Sequence, residues 1–241
     1  MKLGLTIKWM RNELFHNGKK ITTKRWQGKE QPPEMIELLH VSQIMQMEQS
    51  QEDAAFQCKP LLPWADVHFQ ERINGIPVNP PPSHTLWLKG NEEYMSGEKF
   101  SHSYPERFWS KSLHQGIRFE IGDLGDLIKL LKKEPDTRQA YLPIYFPEDI
   151  YAATIGERIP CTLGYHFIVR DGQLDLFYPM RSCDVLRHLH NDLYLANLLA
   201  IFVRDQAYLN VKLGNIHFVA TSLHCFSNDR YALKKAILCA V

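Results

Sequence analysis

The stretch from Cys161 to Ala220 constrains the fold most. Residues 161–169 and 173–180 are both rich in β-formers, and Arg170-Asp171-Gly172 joins them. An Asp-Gly pair tolerates the left-handed conformations that a two-residue hairpin turn needs, so the two runs read as paired strands. Leu189 to Phe202 follows as an apolar segment long enough for a buried helix, and Ile216 to Ala220 has the composition of a further strand. Hairpin, helix and strand in that order fit an α/β or α+β arrangement. A chain of 241 residues with 44% hydrophobic content can bury the core of one large domain or two small ones.

The rest of the chain is more uneven. Residues 4–16 set Trp9, Met10, Leu14 and Phe15 at helical spacing, and Asn17-Gly18 stops the pattern. Residues 21–31 are polar and basic, and Met35 to Val41 reads as a strand after Pro32-Pro33. Residues 45–60 are Gln- and Glu-rich with little pattern, and 74–84 hold the glycine and prolines of an irregular loop. Gly125 to Lys133 has an amphipathic helical pattern. Gln139 to Tyr145 reads as a buried strand, with Thr137 and Arg138 on the turn entering it. The chain shows no internal repeat.

Lys and Arg total 28 against 27 for Asp and Glu, which excludes the broad basic field that drives binding to polymeric nucleic acid; a mononucleotide remains compatible. The five cysteines form no C-x-x-C pair, and the start Met1-Lys2-Leu3-Gly4 lacks an apolar leader, so a reducing cytoplasm is expected. Apolar runs break off well before the roughly 18 residues needed to span a bilayer.

Chemistry concentrates in the same constraining stretch. Cys161 follows Pro160, and Arg181-Ser182-Cys183-Asp184 and Asn191-Asp192 come after it. A nucleophile, a cation and two carboxylates thus share one well-patterned segment. Thiolate is the nucleophilic form of cysteine, and a nearby guanidinium favours it. That set suits an enzyme acting on a small anionic ring substrate. His188 and His190 lack a third partner at metal-ligand spacing, so no metal is expected.

In order and spacing, Pro135-Asp136-Thr137-Arg138, Pro160-Cys161, the Asp171-Gly172 hairpin, Arg181-Ser182-Cys183-Asp184-Val185 and Gly214-Asn215-Ile216-His217 resemble the thymidylate synthase superfamily, closely from about Gly125 to His224. The resemblance implies one domain over residues 1–241 with an α+β fold. In that fold a twisted mixed sheet forms a homodimer interface and helices pack on its other face. Cys161 would add to C6 of a pyrimidine, making C5 carbanion-like and able to attack a one-carbon electrophile. Arg25, Arg138, Arg181 and Ser182 would hold the nucleotide phosphate, Arg138 reaching in from the partner subunit. Guanidinium groups suit a dianionic phosphate because they bind it bidentately. Gln139 stands where the superfamily commonly has a second arginine.

The resemblance extends to the cofactor and sugar. Asp184 is similar to the aspartate that contacts the folate pterin, Trp87 and Trp109 are further expected cofactor contacts, and Val241 ends a tail resembling one whose terminal carboxylate closes the site. Glu71 and Tyr104 fall where the superfamily keeps a catalytic glutamate and tyrosine, with Asp66 and Glu37 as alternatives to Glu71. His217 resembles the histidine that binds the sugar hydroxyl, and Val219 replaces the tyrosine that follows it there.

Two positions resemble one branch of the superfamily, the phage-type deoxycytidylate hydroxymethylases. Asp192 stands where thymidylate synthases carry a pyrimidine-reading asparagine, and Thr162 where a histidine often follows the nucleophile. A carboxyl group accepts from the cytosine amino group and, when protonated, donates to N3. The implied reaction moves the methylene of 5,10-methylenetetrahydrofolate to C5 of dCMP, and water completes the hydroxymethyl group. Methylation of dCMP, use of dUMP or CMP, and an inactive nucleotide-binding paralogue are the alternatives. Neither a nucleic acid nor a membrane is expected as a partner.

Overall fold

The computed structural model of the chain describes residues 1–23, 33–86, 95–109 and 121–238. Arg25, Trp87 and Val241, and with them most of the basic 21–31 segment, lie outside the described residues.

In chain order the elements are α1 (Leu3–Asn17), β1 (Lys19–Ile21), β2 (Met35–Gln46), α2 (Gln51–Cys58), α3 (Trp64–Ile73), β3 (Met95–Ser96), β4 (Lys99–Phe100), α4 (Tyr104–Phe108), α5 (Leu124–Lys133), β5 (Tyr141–Pro143), α6 (Glu148–Thr154), β6 (Gly164–Arg170), β7 (Gln173–Asp184), α7 (Leu189–Gln206), β8 (Lys212–Phe226) and α8 (Arg230–Leu238). The expected segments are present; β2, β7 and β8 are longer than the sequence marks, whereas β5 and β6 are shorter. The 45–60 region, patternless in sequence, contains α2, whose first turn is capped by the Ser50 side chain accepting from the Asp53 N–H.

Six strands form one mixed sheet in the order β1-β2-β8-β7-β6-β5. All neighbours are antiparallel except β7 and β8, which run parallel with α7 as the crossover between them. The β6–β7 turn is the expected Asp-Gly hairpin, with φ of 50° at Asp171 and 71° at Gly172. Gly18 lets α1 close against β2, because a Cβ there would stand 2.4 Å from the Ile36 side chain.

One face of the sheet carries the core. Tyr165, Phe167, Leu174, Leu176, Tyr178, Ile216, Phe218 and Ala220 alternate into it and meet the apolar side of α7, where Leu193, Ala196 and Ala200 are fully buried. Asn197, buried on that helix, is satisfied by the Glu48 backbone, which it both bonds to and receives from at 3.0 and 2.9 Å.

The other face is uncovered in the single chain. A row of register partners, Tyr141, His166, Phe177, His217 and Ile44, crosses five strands of it. Tyr141, Phe177 and Ile44 are 43%, 42% and 55% exposed there. Among the described residues no helix is long and apolar enough to cross a membrane.

Candidate active site

The site forms at the end of β7, where regular pairing with the preceding segment stops. Cys161 lies just before β6 rather than at its first position: its carbonyl accepts the Arg181 N–H at 2.9 Å, and Thr162 bridges to Met180. This short antiparallel contact sets the cysteine opposite the arginine. The Arg181 guanidinium donates Nε to the Pro160 carbonyl at 2.8 Å and Nη2 to that of Ile159 at 2.9 Å. Burial pushes the Cys161 thiol above its usual range, the Arg181 charge opposes that shift, and Asp192 adds to it.

Parallel pairing of β7 with β8 supplies the next residues. Ser182 pairs with Ser222 and Asp184 with His224, and the Ser182 hydroxyl lies 3.4 Å from His224 Nδ1. Asp184 Oδ1 accepts the N–H groups of Leu186 and Arg187, both at 2.9 Å, fixing the turn that leads into α7. Asp192 stands in the first turn of that helix. Desolvation raises its carboxyl to about 7, against the opposing pull of Arg72.

A second wall comes from earlier in the chain. Trp64, His68 and Arg72 follow one another at four-residue spacing along α3, so they share a face. His68 stacks on Trp64 with ring centroids 5.0 Å apart, and the Arg72 guanidinium lies 4.0 Å from the centroid of Tyr104. Tyr104 opens α4, which is held by a Ser103–Glu106 capping box. Its hydroxyl meets Thr162 Oγ1 at 3.0 Å, and Thr162 meets the Tyr178 hydroxyl at 3.1 Å. Between the walls lies a cavity of about 170 Å³ onto which Cys161, Ser182, Asp184, Asp192, Tyr104 and Arg72 face. A thiol, a carboxyl group that titrates near neutrality, a second carboxylate and a cation thus converge on one enclosed space, the set required for nucleophilic addition to a polar ring.

Residues 85–238 match the thymidylate synthase family model. The chain belongs to the thymidylate synthase family. It is 33% identical over 139 residues to the deoxyuridylate hydroxymethyltransferase of Bacillus phage SP01, a match covering 55% of this chain and 35% of that protein. It is 30% identical over 117 residues to the bifunctional dihydrofolate reductase-thymidylate synthase of Paramecium tetraurelia, covering 48% of this chain and 24% of the relative. The thymidylate synthase of Buchnera aphidicola matches at 27% over 118 residues, 49% of this chain and 43% of that one. These matches therefore span less than half the length of each relative. Among solved structures, the thermostable thymidylate synthase A of Bacillus subtilis superposes with a TM-score of 0.70 over 99% of this chain and 84% of its own, at 14% identity. That likeness establishes the shared fold.

Of the residues singled out in sequence, Cys161, Tyr104, Ser182, Asp184 and Asp192 line the same cavity, and Arg181 lies beside it with Nη2 3.9 Å from the Cys161 sulfur. Others are placed differently. His217 sits on the uncovered sheet face, 3.7 Å from Asp175 and away from the cavity; the histidine that β8 brings to Ser182 and Asp184 is His224. Glu71 is buried behind the cavity wall, where Ser83 Oγ and N–H donate to it at 2.5 Å and His68 Nδ1 lies 3.3 Å away. Trp109 donates its ring N–H to the Arg72 carbonyl at 2.7 Å, tying α4 to α3 instead of lining the cavity. Arg138 is exposed before β5, its carbonyl accepting from His166, and does not reach this chain's own cavity.

Arg72, His68, His102 and Arg158 line the cavity without having been singled out in sequence. The Trp64-His68-Arg72 spacing was the available signal: an aromatic and two basic residues on one stripe of a helix whose Val67 and Gln70 face solvent.

Proposed function

We propose that the chain hydroxymethylates dCMP with 5,10-methylenetetrahydrofolate. The observation that carries this reading is Asp192, a desolvated carboxyl on the cavity wall that holds its proton up to about pH 7. Such a group accepts from the cytosine amino group with its carbonyl oxygen and donates to N3 with its hydroxyl. Facing uracil, the ionised carboxylate would instead set an acceptor against the O4 acceptor, which costs about 1–3 kcal/mol for each buried polar group left unpaired.

The residues divide the reaction between them. Arg181 and Ser182 take the phosphate, and Cys161 adds as thiolate to C6 so that C5 becomes nucleophilic. The folate, when bound, would supply the one-carbon unit to C5, which would then lose its proton; water would complete the hydroxymethyl group, and Cys161 would leave C6 as the ring regains its double bond. Asp184 suits the pterin: its Oδ1 is taken by two backbone N–H groups, while Oδ2 lies 3.9 Å from Arg187 Nη1. The uncovered sheet face, with Phe177 and Ile44 exposed and Arg138 beside it, fits a homodimer in which Arg138 serves the neighbouring phosphate site.

The phage SP01 relative is named for hydroxymethyl transfer to deoxyuridylate, which supports the hydroxymethyl outcome and makes dUMP the second reading. Incubation with methylenetetrahydrofolate and dCMP, CMP or dUMP, followed by mass analysis of the nucleotide, tests both. A gain of CH2O on dCMP is expected. A gain of CH2 would indicate methylation, a preference for dUMP would favour the second reading, and no product with any pyrimidine nucleotide would overturn catalysis.

A further inference from the structure

Arg72 has no role in the steps above, yet its environment is that of a ligand-binding cation. It is 4% exposed and faces the cavity. Its Nη2 donates to His68 Nε2 at 3.0 Å, its plane covers the Tyr104 ring, and its Nε is buried without a hydrogen-bond partner among the described residues. No carboxylate of the described residues pairs with it. A desolvated guanidinium carries five N–H groups and costs several kcal/mol to bury unless acceptors meet them. Here the described residues provide one ring nitrogen and the faces of Tyr104 and Phe108.

That single acceptor is itself fixed. His68 Nδ1 lies 3.1 Å from Ser83 Oγ and 3.3 Å from Glu71 Oε2. With the carboxylate on that side, Nδ1 carries the hydrogen and Nε2 is left to accept from Arg72. Burial, then the Arg72 charge, pushes His68 down to about 4, so it remains a neutral acceptor at physiological pH. Glu71, His68 and Arg72 thus form a chain that holds a cation in the cavity wall. Arg72 is also the strongest charge acting on Asp192.

We propose that Arg72 is a specificity-determining residue that donates directly to an acceptor of the pyrimidine base. A fixed donor there complements the carboxyl group of Asp192, and between them the two groups supply donors and an acceptor for the base edge. When Cys161 adds to C6, its electron pair enters the ring, and an adjacent guanidinium stabilises the charge that develops. The inference rests on a pyrimidine nucleotide being the ligand.

The test is calorimetric titration of the full chain and its Arg72→Met and Arg72→Gln variants with dCMP, dUMP and 2-deoxyribose 5-phosphate, alongside thermal melting. Loss of one charge-assisted hydrogen bond predicts about thirtyfold weaker dCMP binding by Arg72→Met. Binding of the sugar phosphate should change less than about twofold, and Arg72→Gln, which keeps an N–H donor, should recover part of the loss. Should Arg72→Met not fold, Arg72→Gln carries the same comparison between dCMP and the sugar phosphate. Equal losses for all three ligands, or unchanged dCMP binding, would overturn the role of Arg72 while leaving the nucleotide reading intact. A wild-type chain that binds dCMP and dUMP no better than the sugar phosphate would instead remove base recognition altogether.

Discussion

The Arg181 guanidinium stands 3.9 Å from the Cys161 sulfur, anchored by the two carbonyl groups that immediately precede that cysteine. The same segment therefore presents the thiol and orients the cation that favours its ionised form. Replacing Arg181 with Met removes the larger of the two charges, Arg181 and Arg158, that hold the thiol down against burial. Alkylation of Cys161 by iodoacetamide at pH 8 should slow about tenfold, the equivalent of one pKa unit. Peptide mapping locates the label, since Cys58, Cys183 and Cys225 are buried. An unchanged rate would show that the guanidinium does not govern the thiol.

Asp192 should make the folded chain sensitive to pH. Its carboxyl is raised from an ordinary 3.8 to about 7, so folding favours the protonated form. The associated stability is complete below pH 4 and is lost as pH rises through about 7. Asp192→Asn keeps the shape and cannot ionise; it should be more stable than the parent by about 2–4 kcal/mol at pH 8, with the gap closing toward pH 4. Melting curves across that range measure it, and a constant gap would contradict it. In activity assays the same variant should shift preference toward dUMP.

His224 and His217 can be separated by binding. His224→Ala should weaken deoxyribose 5-phosphate binding about tenfold, because that side chain supports Ser182. His217→Ala, on the uncovered face beside Asp175, should leave it within about twofold. The reverse pattern would return the sugar to His217.

Thr162 is fully buried between the hydroxyls of Tyr104 and Tyr178. Thr162→Val keeps the volume and removes a hydrogen-bond partner from both tyrosine hydroxyls, of which Tyr178 retains Tyr165, so unfolding in urea should show a loss of about 1–3 kcal/mol. Double substitution with Tyr178→Phe should cost less than the sum of the two single changes, since both remove the same shared hydrogen bond.

The sequence exposed those parts of the fold whose local chemistry agrees with their final environment. The Asp171-Gly172 turn needed only its own two residues, and α5 shows its buried stripe of Leu124, Leu127 and Leu131 directly. β8 was legible only from Ile216 to Ala220, because the flanking Asn215 and Thr221 point to the uncovered face and read as polar breaks. α2 buries only Ala54 and Cys58, too little for a visible stripe.

The site divided along the same line. Near Cys161 and Arg181 the sequence shows a nucleophile, a cation and two carboxylates in one segment, and the family resemblance implies their roles. The histidine of β8 was not readable, because strand register decides it: Asp184 pairs with His224, seven residues beyond His217. Arg72 and His68 escaped because the cavity acquires them through contacts between α3, α4 and α7, which no local pattern encodes.

The sheet order places β8, the last strand in the chain, between β2 and β7. During synthesis the ribosome therefore releases five strands before the one that fills the central slot, and until residues 212–226 emerge two long edges remain open. Ser182 and Asp184 gain His224 only at that final insertion. Binding of the proposed nucleotide would therefore report that β8 has been inserted, and the nascent chain before that point carries the open edges that invite aggregation.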